Sequence, residues 1–493
     1  MAFQTGSNYL VAIKREVAAT PGVAATEFGA CVLRTVDSPG LKLNRANIQS
    51  AERNDAMIRP MPRLGFKTVD GSLNSEWSVG GAIDMLLAAL LRTVWSTDIT
   101  KTYDNTAAHL SLEVTDASTL TQVGTDSFVD VFYVGDVIVL SNMTSEANNG
   151  IQLLITAVAA NVLTIAGTPL TVEGADIACT ITRLNKVLTY AGAGTPTHES
   201  LEITATNTIV SVGTTSFVGV IYVGDIIRLA GMSNVLNNDI NLRVATVAAN
   251  TLTVVGTPLT IQVADVACTL SRLKKLVLPT TPVRVSHTIE QYNEDMDLTE
   301  LFLGCRLVGV KFSFKPGAHA TITWTFLGMD RTLLLVGTSP WFTLPGVTTG
   351  ISVVADDSVI LKDGVAVTTF TGMDLDFTIA AKGEPTIGNL TSPDIFDNDL
   401  SMSGSITGLR SDFQNLIDYD AEEEFSIAIK LEEPVTAPKP CVSLYLPRVK
   451  IGGVDAPLGG DGAQIETRSL LIGSSVATST LEATPVKIVS SGA

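Results

Sequence analysis

A β-rich module occurs twice in tandem within this chain of 493 residues. The copy that begins at Leu112 aligns without a gap with the copy that begins at Leu201, and the register holds to Val277. Both copies contain the motifs YVGD, VAAN and GTPLT. The shared positions are mainly turn residues and alternating apolar residues, which a small β fold needs. The repeat therefore predicts a duplicated scaffold before it predicts any chemistry.

The composition favours several β-rich domains and argues against a nucleic-acid-binding surface. A chain of this length suggests about three or four domains, and its short apolar runs, closely separated by turn residues, are typical of many short strands. The formal net charge of −18 disfavours a DNA- or RNA-binding surface, because such a surface needs clustered Lys and Arg. An acidic wall would still allow DNA to slide past it.

The two modules interrupt a host domain. We predict the modules at 111–191 and 192–278, between a first host block at 1–110 and its continuation at 279–345. The last block, 346–493, resembles the first and is predicted to be a second copy of the host fold. The fold class that follows is mainly β. It comprises a β-sandwich or barrel with a flanking helix, duplicated in the host, and two tandem small β-barrel or sandwich modules.

The sequence similarity between the two host copies rests on a few features that recur at similar spacings. Gly71-Ser72-Leu73 follows Leu41 by about thirty residues, and Gly404-Ser405-Ile406 follows Met373 at a similar distance. Each is followed by a helix candidate, and each copy closes with a hairpin led by Cys305 or Cys441. In the second copy we predict a helix from Ser411 to Asp418, with Ser411 as its N-cap and an apolar face of Phe413, Leu416 and Ile417.

The helix of the first copy lies in the segment GGAIDMLLAALLRTVW. Its apolar residues recur at helical spacing on one face, namely Ile83, Leu86, Leu87, Leu90 and Val94. Little polar surface remains on the other sides, so the helix should be packed on several sides. Two interpretations are open, an ordinary core helix and a helix covered partly by another chain.

The sequence contains no motif for catalysis or for a cofactor. Its four histidines are widely spaced and no Cys-x-x-Cys, P-loop or dinucleotide-binding turn occurs. Asp394, Asp397 and Asp399 could supply calcium ligands, but solvated or interface carboxylates are the favoured interpretation; paired acids for glycoside cleavage need no motif and are disfavoured without sugar-stacking aromatics. Cys179 and Cys268 occupy equivalent apolar strands and are predicted to be buried free thiols. We expect no enzyme, no metal and no cofactor.

One stretch is locally basic in an otherwise acidic chain. Between residues 42 and 67 the acidic residues are only Glu52 and Asp55. The basic residues of this stretch are Lys42, Arg45, Arg53, Arg59, Arg63 and Lys67. Such a segment suits contact with an acidic surface on another copy of the same protein, between subunits or between rings. An ordinary solvated loop is the alternative.

Targeting signals are also missing from the pattern. The first residues, MAFQTGSNYLVAIKREVA, lack the apolar segment of a signal peptide, and the longest apolar segment, Ala82 to Leu91, is too short to span a bilayer. We expect folding in a host cytoplasm, no membrane contact, and a place in a larger particle.

Three segments resemble the major tail tube proteins of long-tailed, siphovirus-like bacteriophages. They are SPGLKLNRANIQSAERND, TVDGSLNSEWSVGGAIDMLLAALL and the hairpin GCRLVGVKFSF. The resemblance covers the first block and the chain from about residue 280 onward, and it excludes the tandem modules. It implies a tube-type β-sandwich flanked by a helix, with rings of the protein stacked into a tube through which DNA leaves the capsid.

The resemblance also implies partners and a location. Some members resemble two fused tube domains, so that three chains form a ring with pseudo-sixfold symmetry; rings of six identical chains are the alternative. The implied partners are the chain itself and the tape measure, tail terminator and tail tip proteins, while phage DNA passes through the lumen without specific binding. The inserted modules would decorate the exterior of the tail in the virion. A β-rich surface adhesin and a carbohydrate-binding protein are the competing classes.

Overall fold

A computed structural model gives the fold of most of the chain. The residues that it describes are 8–17, 20–52, 59–96, 99–103, 105, 107, 109–125, 127–128, 132, 137–183, 187–190, 199–213, 216–265, 268–279, 281–435, 437–457 and 462–492.

Among the described residues, the first part of the host contributes four strands and an α-helix. These are β1 Tyr9–Arg15, β2 Cys31–Leu33, β3 Gly40–Ile48, β4 Arg63–Glu76 and α1 Gly81–Leu90. β4 alternates between core and surface, as strands with one covered face do. Val69 and Leu73 are buried in the core, whereas Asp70, Ser72 and Asn74 lie on the opposite, partly exposed face.

The tandem modules are two eight-stranded antiparallel sheets of the same connectivity. The first contains β5 Ile99–Thr102, β6 Ser111–Asp116, β7 Thr119–Val123, β8 Val137–Ser141, β9 Gln152–Val158, β10 Val162–Ile165, β11 Glu173–Asp176 and β12 Thr180–Arg183. The second contains β13 Val187–Tyr190, β14 Ser200–Ala205, β15 Thr208–Val212, β16 Ile226–Ala230, β17 Leu242–Val247, β18 Thr251–Val254, β19 Gln262–Asp265 and β20 Cys268–Arg272. Each also has one 3-10 turn, Glu146–Asn148 or Val235–Asn237.

Each module encloses its own apolar core. Equivalent residues fill the two cores, for example Phe128 and Phe217. Cys179 and Cys268 are buried free thiols at matching core positions, which confirms the prediction for these residues. The YVGD motif of the first module, residues 133–136, lies outside the described residues, as do residues 191–198.

The host resumes after the modules and then repeats itself. The remaining strands of its first copy are β21 Lys274–Val277, β22 His287–Asn293, β23 Leu298–Phe314, β24 Thr321–Gly328 and β25 Asp330–Leu334. The second copy comprises β26 Ser358–Lys362, β27 Val365–Ala366, β28 Phe370–Gly383, β29 Ile395–Leu409, α2 Gln414–Asp420, β30 Phe425–Glu432, β31 Cys441–Asp455, β32 Ile465–Ile472 and β33 Lys487–Ser490. A 3-10 turn, Ala355–Asp357, precedes it.

The strand pairings of the two host copies follow one scheme. The first copy pairs in the order β2-β1-β22-β23-β24-β4-β3, and the second in the order β27-β26-β30-β31-β32-β29-β28. In both copies a short further strand, β25 or β33, pairs with the N-terminal half of the long strand. This shared order confirms the mainly β fold class and makes its predicted duplication visible.

The long strands β23 and β31 run through two layers of the host. The N-terminal half of β23 pairs with β22 and β25, and its C-terminal half pairs with β24 and β28. The core between the layers contains Trp77, Phe312 and Trp324, and the rings of Trp77 and Phe312 stack at a centroid distance of 4.8 Å.

Gly71 and Gly404 explain why the same glycine-serine signature appears in both copies. They occupy equivalent positions, since Gly71 lies opposite Leu41 and Gly404 opposite Leu375. A β-carbon at Gly71 would lie 2.2 Å from the carbonyl oxygen of Gly40, and one at Gly404 would lie 3.0 Å from the carbonyl oxygen of Asp374. The backbones therefore approach too closely at this crossing for a larger residue.

Strand pairing places the module boundaries at other positions than the repeat did. β5 begins at Ile99 and pairs with β12, so it belongs to the sheet of the first module. β13 begins at Val187 and pairs with β20 of the second module. β21, by contrast, pairs with β33 and is a host strand. By these pairings the modules span 99–183 and 187–272, whereas the repeat suggested 111–191 and 192–278.

Helix α1 is a core helix of its own chain. Ile83, Leu86, Leu87 and Leu90 are at most 3% exposed and belong to the host core. Val94 does not share this face, because α1 ends at Leu90, Arg92 adopts a left-handed backbone conformation (φ 51°), and the Val94 side chain is 53% exposed.

Helix α2 is shorter than its predicted counterpart and has an exposed apolar side. It begins at Gln414, whose backbone N–H donates a hydrogen bond to Asp412 Oδ1. Ser411 is therefore not the capping residue. Phe413 is 66% exposed and Ile417 is 57% exposed, whereas Leu416 is half-buried. Two of the three residues of the predicted apolar face are therefore exposed.

Candidate assembly surface

The two host copies join edge to edge into one curved sheet. Its order is β3-β4-β24-β23-β28-β29-β32-β31, four strands from each copy. One face packs on the core, and the other carries mainly Ser, Thr, Asp and Lys. A groove of about 770 Å³ on this polar face is lined by residues of β3, β4, β23, β24 and β28.

The internal seam of this sheet is the antiparallel pair β23 and β28. Val310 lies opposite Phe377 and Phe312 opposite Leu375 on the core face, while Lys311 lies opposite Asp376 on the polar face. Lys311 Nζ also lies 3.7 Å from Asp374 Oδ2. Backbone pairing, apolar packing and opposite charges therefore all stabilise the junction between the two copies.

The outer edges of the same sheet are free. Among the described residues, β3 pairs only with β4, and the β31 residues that follow Val449 pair only with β32. In the repeated scheme β3 corresponds to β28, and the C-terminal half of β31 corresponds to that of β23. The chain thus presents, at its two ends, the two strands that it joins internally.

The predicted basic residues do not form one cluster. Lys42 is 71% exposed in its side chain and lies 3.8 Å from Asp70, on the polar face. Arg45 donates to the carbonyl oxygens of Leu64 and Gly65, so it stabilises the β3–β4 hairpin. Lys67 is less exposed, at 23% of its side chain, and pairs with Asp330 at 2.7 Å.

Two other residues of this stretch are exposed and one cannot be placed. Arg59 lies in the loop before β4 and Arg63 is the first residue of β4; both are exposed. Arg53 lies outside the described residues. Lys42, Arg59 and Arg63 are therefore the described members of the stretch with exposed side chains.

Two of the three candidate calcium carboxylates, Asp394 and Asp397, are ion-paired with arginine, and Asp399 is exposed. Arg306 donates to Asp394 at 2.7 Å and to Asp397 at 2.9 Å, and Asp397 also lies 3.0 Å from Arg284 Nε and 3.4 Å from Arg92 Nη1. These contacts link the β29 region of the second copy to the first. Within the part of the chain that the structure describes, no group of three or more His, Cys, Asp or Glu residues could hold a metal ion.

A buried charge cluster fastens the second module to the host. Asp225, before β16, is fully buried and lies 2.9 Å from Lys487 and 3.2 Å from Lys275. Burial by itself would raise the pKa of Asp225, but the attraction of these lysines and Arg272 outweighs it and lowers the pKa. Glu482 completes the set, 2.7 Å from each lysine.

Arg243 of the second module adds a further contact with the host. Its guanidinium is buried, donates to Ser443 Oγ and to the carbonyl oxygen of Ile429, and burial lowers its pKa to about 10. None of these attachments could be read from the sequence, because the partners are separated by between 50 and 262 residues. The sequence offered one signal for this contact, Asp225 in the YVGD motif, but an aspartate in such a motif is typical of a turn.

The charged seam residues Lys311 and Asp376 were also missed by sequence reasoning. The hairpin that contains Lys311 was predicted, but no local pattern indicates which strand edges meet. No helix in the described part of the chain is both long and apolar enough to cross a membrane.

Comparison with known proteins agrees with this architecture. No curated protein matches the chain. A family model described as phage tail tube protein matches residues 6–468, which includes the first host copy, the modules inserted in it and most of the second host copy. The chain therefore belongs to the phage tail tube protein family.

Proposed function

We propose that this structural virion protein polymerises as stacked rings into the tail tube, with three chains and six tube domains in each ring. The internal seam between β23 and β28 supports this most directly. Because the free edges β3 and β31 are the counterparts of the two seam strands, one chain can add to the next in the way that its own halves join. Such a heterologous, head-to-tail contact closes into a ring when its rotation permits.

The polar face of the curved sheet is the proposed lumen wall. Asp70, Glu76, Asp374 and Asp376 outnumber Lys42 and Lys311 on this face, where serine and threonine separate the charges. A weakly acidic, hydroxyl-rich wall repels phosphate and offers no clustered cations, so DNA would pass without specific binding. The apolar face of the same sheet supplies the core and cannot line an aqueous channel.

The tandem modules are proposed to decorate the exterior of the tail. The second module contacts β30, the N-terminal half of β31, β33 and the segment that leads to β33. These elements belong to the host layer that lies behind the curved sheet with the polar face. Modules attached there leave both the polar face and the free edges β3 and β31 accessible.

The remaining partners follow from membership of the family. A tail tube has to meet a tape measure protein inside it, a terminator at one end and a tip complex at the other. We propose these three proteins as partners in the virion, with assembly in the host cytoplasm. The family implies a structural and not a catalytic role.

Electron microscopy of the purified full-length chain tests the proposal. We expect tubes whose rotationally averaged rings contain three chains, with six similar inner domains and projecting modules. Rings of six chains would overturn the fused-domain arrangement. A chain that stays monomeric at high concentration, in buffers that permit assembly, would overturn the tube function itself.

A further inference from the structure

We infer that the junction between chains repeats the internal seam with its charges exchanged, so that Lys42 of one chain lies opposite Asp455 of the next. This inference rests on the proposed ring and adds the partner strand, the register and the residues that select them. The equivalence of positions in the two host copies carries it.

The register of β3 and β28 fixes the first half of the equivalence. Leu41 lies opposite Gly71 in β4, and Leu375 lies opposite the equivalent Gly404 in β29. Lys42 and Asp376, each one residue later, therefore occupy the same position in the two copies. Both side chains lie on the polar face.

The register of β23 and β31 fixes the second half. Each strand has a bulge, after which Gly309 lies opposite Thr325 and Gly453 lies opposite Ser469. Lys311 lies opposite Thr323, and Asp455 opposite Thr467. Lys311 and Asp455, each two residues beyond its glycine, are therefore equivalent.

The consequence is a pair of seams with opposite polarity. Inside the chain, Lys311 of β23 lies opposite Asp376 of β28. Between chains, the same register puts Asp455 of β31 opposite Lys42 of β3. Asp455 is exposed and the Lys42 side chain is 71% exposed, so both are available to a second copy.

The exchange of charge also disfavours wrong pairings. A β3 edge against another β3 edge brings Lys42 near Lys42, and two β31 edges bring Asp455 near Asp455. Like charges across a strand pair are destabilising. Only the head-to-tail pairing of β3 with β31 brings opposite charges together, and that pairing is the one that closes a ring.

Single and double charge reversals test the register. Lys42→Asp or Asp455→Lys alone should raise the concentration needed for assembly by roughly tenfold at low salt, and less at high salt. The double variant should assemble near the wild-type concentration, because it restores an attractive pair. Lys315→Asp, at an exposed turn outside both seams, makes the same charge change as Lys42→Asp and should assemble normally.

A disulfide trap gives an independent measurement. Lys42→Cys combined with Asp455→Cys should link chains covalently up to the closed ring on oxidation, whereas Asp70→Cys with Asp455→Cys, one strand further away, should not. Single reversals that assemble like the wild type, or a double reversal without rescue, would overturn the register. The proposed function would survive that result if the unaltered chain still formed three-chain rings. Absence of such rings in the unaltered chain would instead contradict the proposed function.

A second surface, separate from the seam strands, indicates the same head-to-tail order of chains in the ring. The geometry points to docking of helix α2 of one chain against the β25 region of the next. Within one chain, Asp84 of α1 accepts a 2.9 Å hydrogen bond from Ser490 Oγ of β33. Helix α1 of the first copy thus already contacts the short strand of the second.

The counterparts of this contact are both exposed and apolar. Asp84 and Ile417 are the fourth residues of their helices. Thr299 lies opposite Leu334 and the equivalent Ser443 opposite Val489, so the next residues, Leu335 and Ser490, also correspond. Ile417 is 57% exposed and Leu335 is 67% exposed.

A cleft beside β25 is open to receive the helix. It measures about 260 Å³, and its lining includes Tyr292, Leu298, Leu333 and Leu335. The exposed apolar side chains of α2 would fill it when a second copy joins the ring. A polar contact inside the chain would thereby be replaced by apolar burial between chains.

Truncation of one exposed side chain tests this docking. Ile417→Ser should leave the subunit folded, since the side chain is already exposed, and should raise the assembly concentration by roughly tenfold. Val365→Ser, at a similarly exposed position on β27, is the matched control and should have no effect. Ile417→Cys combined with Leu335→Cys should link neighbouring chains of one ring by a disulfide. Assembly of Ile417→Ser at the wild-type concentration, or closed rings without that cross-link, would overturn the contact.

Discussion

Asp84 is a carboxyl group in the host core, and its environment makes stability depend on pH. Its Oδ2 accepts a hydrogen bond from Ser490, and the residue is only 4% exposed. Burial raises the pKa of Asp84 to about 6, against the ordinary value of 3.8. Because the folded pKa is the higher one, the contribution of Asp84 to stability is fully present below about pH 4 and is lost as pH rises through about 6.

Replacement of Asp84 by asparagine should therefore stabilise the protein at neutral pH. We expect Asp84→Asn to add on the order of 2 kcal/mol at pH 8 and almost nothing at pH 4. Urea unfolding midpoints of subunits across this pH range would measure the difference. Asp399→Asn, an exposed carboxyl group, controls for loss of one negative charge, and an Asp84→Asn benefit that does not change with pH would contradict the explanation.

Asp225 is the residue on which the attachment of the second module depends. It is fully buried and its neighbours Lys275 and Lys487 are nearly so. Asp225→Asn would leave two buried cations with less compensation, at a cost of about 3 kcal/mol. Combining it with Lys487→Met should recover part of the loss, and a double-mutant cycle on thermal unfolding would show the coupling. Purely additive effects would contradict the cluster as described.

The β3–β4 hairpin is the element on which we expect ring stacking to depend. Arg59 and Arg63 lie exposed at its far end, and the backbone N–H of Lys67 donates to the carbonyl oxygen of Leu390, so the matching hairpin of the second copy lies beside it. Reversal of Arg53, Arg59 and Arg63 to glutamate should stop tube growth while the subunit stays folded, because attraction to an acidic surface becomes repulsion. Electron microscopy would show the loss of tubes. The neutral triple glutamine variant should give an intermediate result, and normal tubes from the glutamate triple would exclude this role.

Local patterns identified elements well and pairings poorly. The alternation in β23 and β24 and the spacing in α1 were sufficient to predict those elements, since periodicity records which face is buried. The end of α1 and the exposure of Ile417 were not predictable, because they depend on residues far along the chain and, in our proposal, on another chain. The seam of β23 with β28 is a further case, since edge pairing has no local signature.

At the scale of the whole chain, the two covalent connections between the modules and the host lie side by side. The backbone N–H of Ser96 donates to the carbonyl oxygen of Lys275 at 3.0 Å, and the backbone N–H of Lys275 donates to Ser96 Oγ at 3.0 Å. The host chain therefore leaves and returns at adjacent positions. Inserted domains whose chain ends lie side by side can be removed when the core of the host does not depend on them.

Excision of residues 97–273, with Ser96 joined to Lys274 by a short Gly-Ser linker, should accordingly leave tube formation intact. The excision keeps β21 and both free edges, but it exposes Lys275 and Lys487, whose charges water can then solvate in place of Asp225. We expect tubes with the same ring symmetry and a smaller outer diameter, measured by electron microscopy. Excision of the first module alone should remove only part of the outer density. A host that no longer folds after the full excision would show that the second module is a structural part of the tube domain and not a decoration on it.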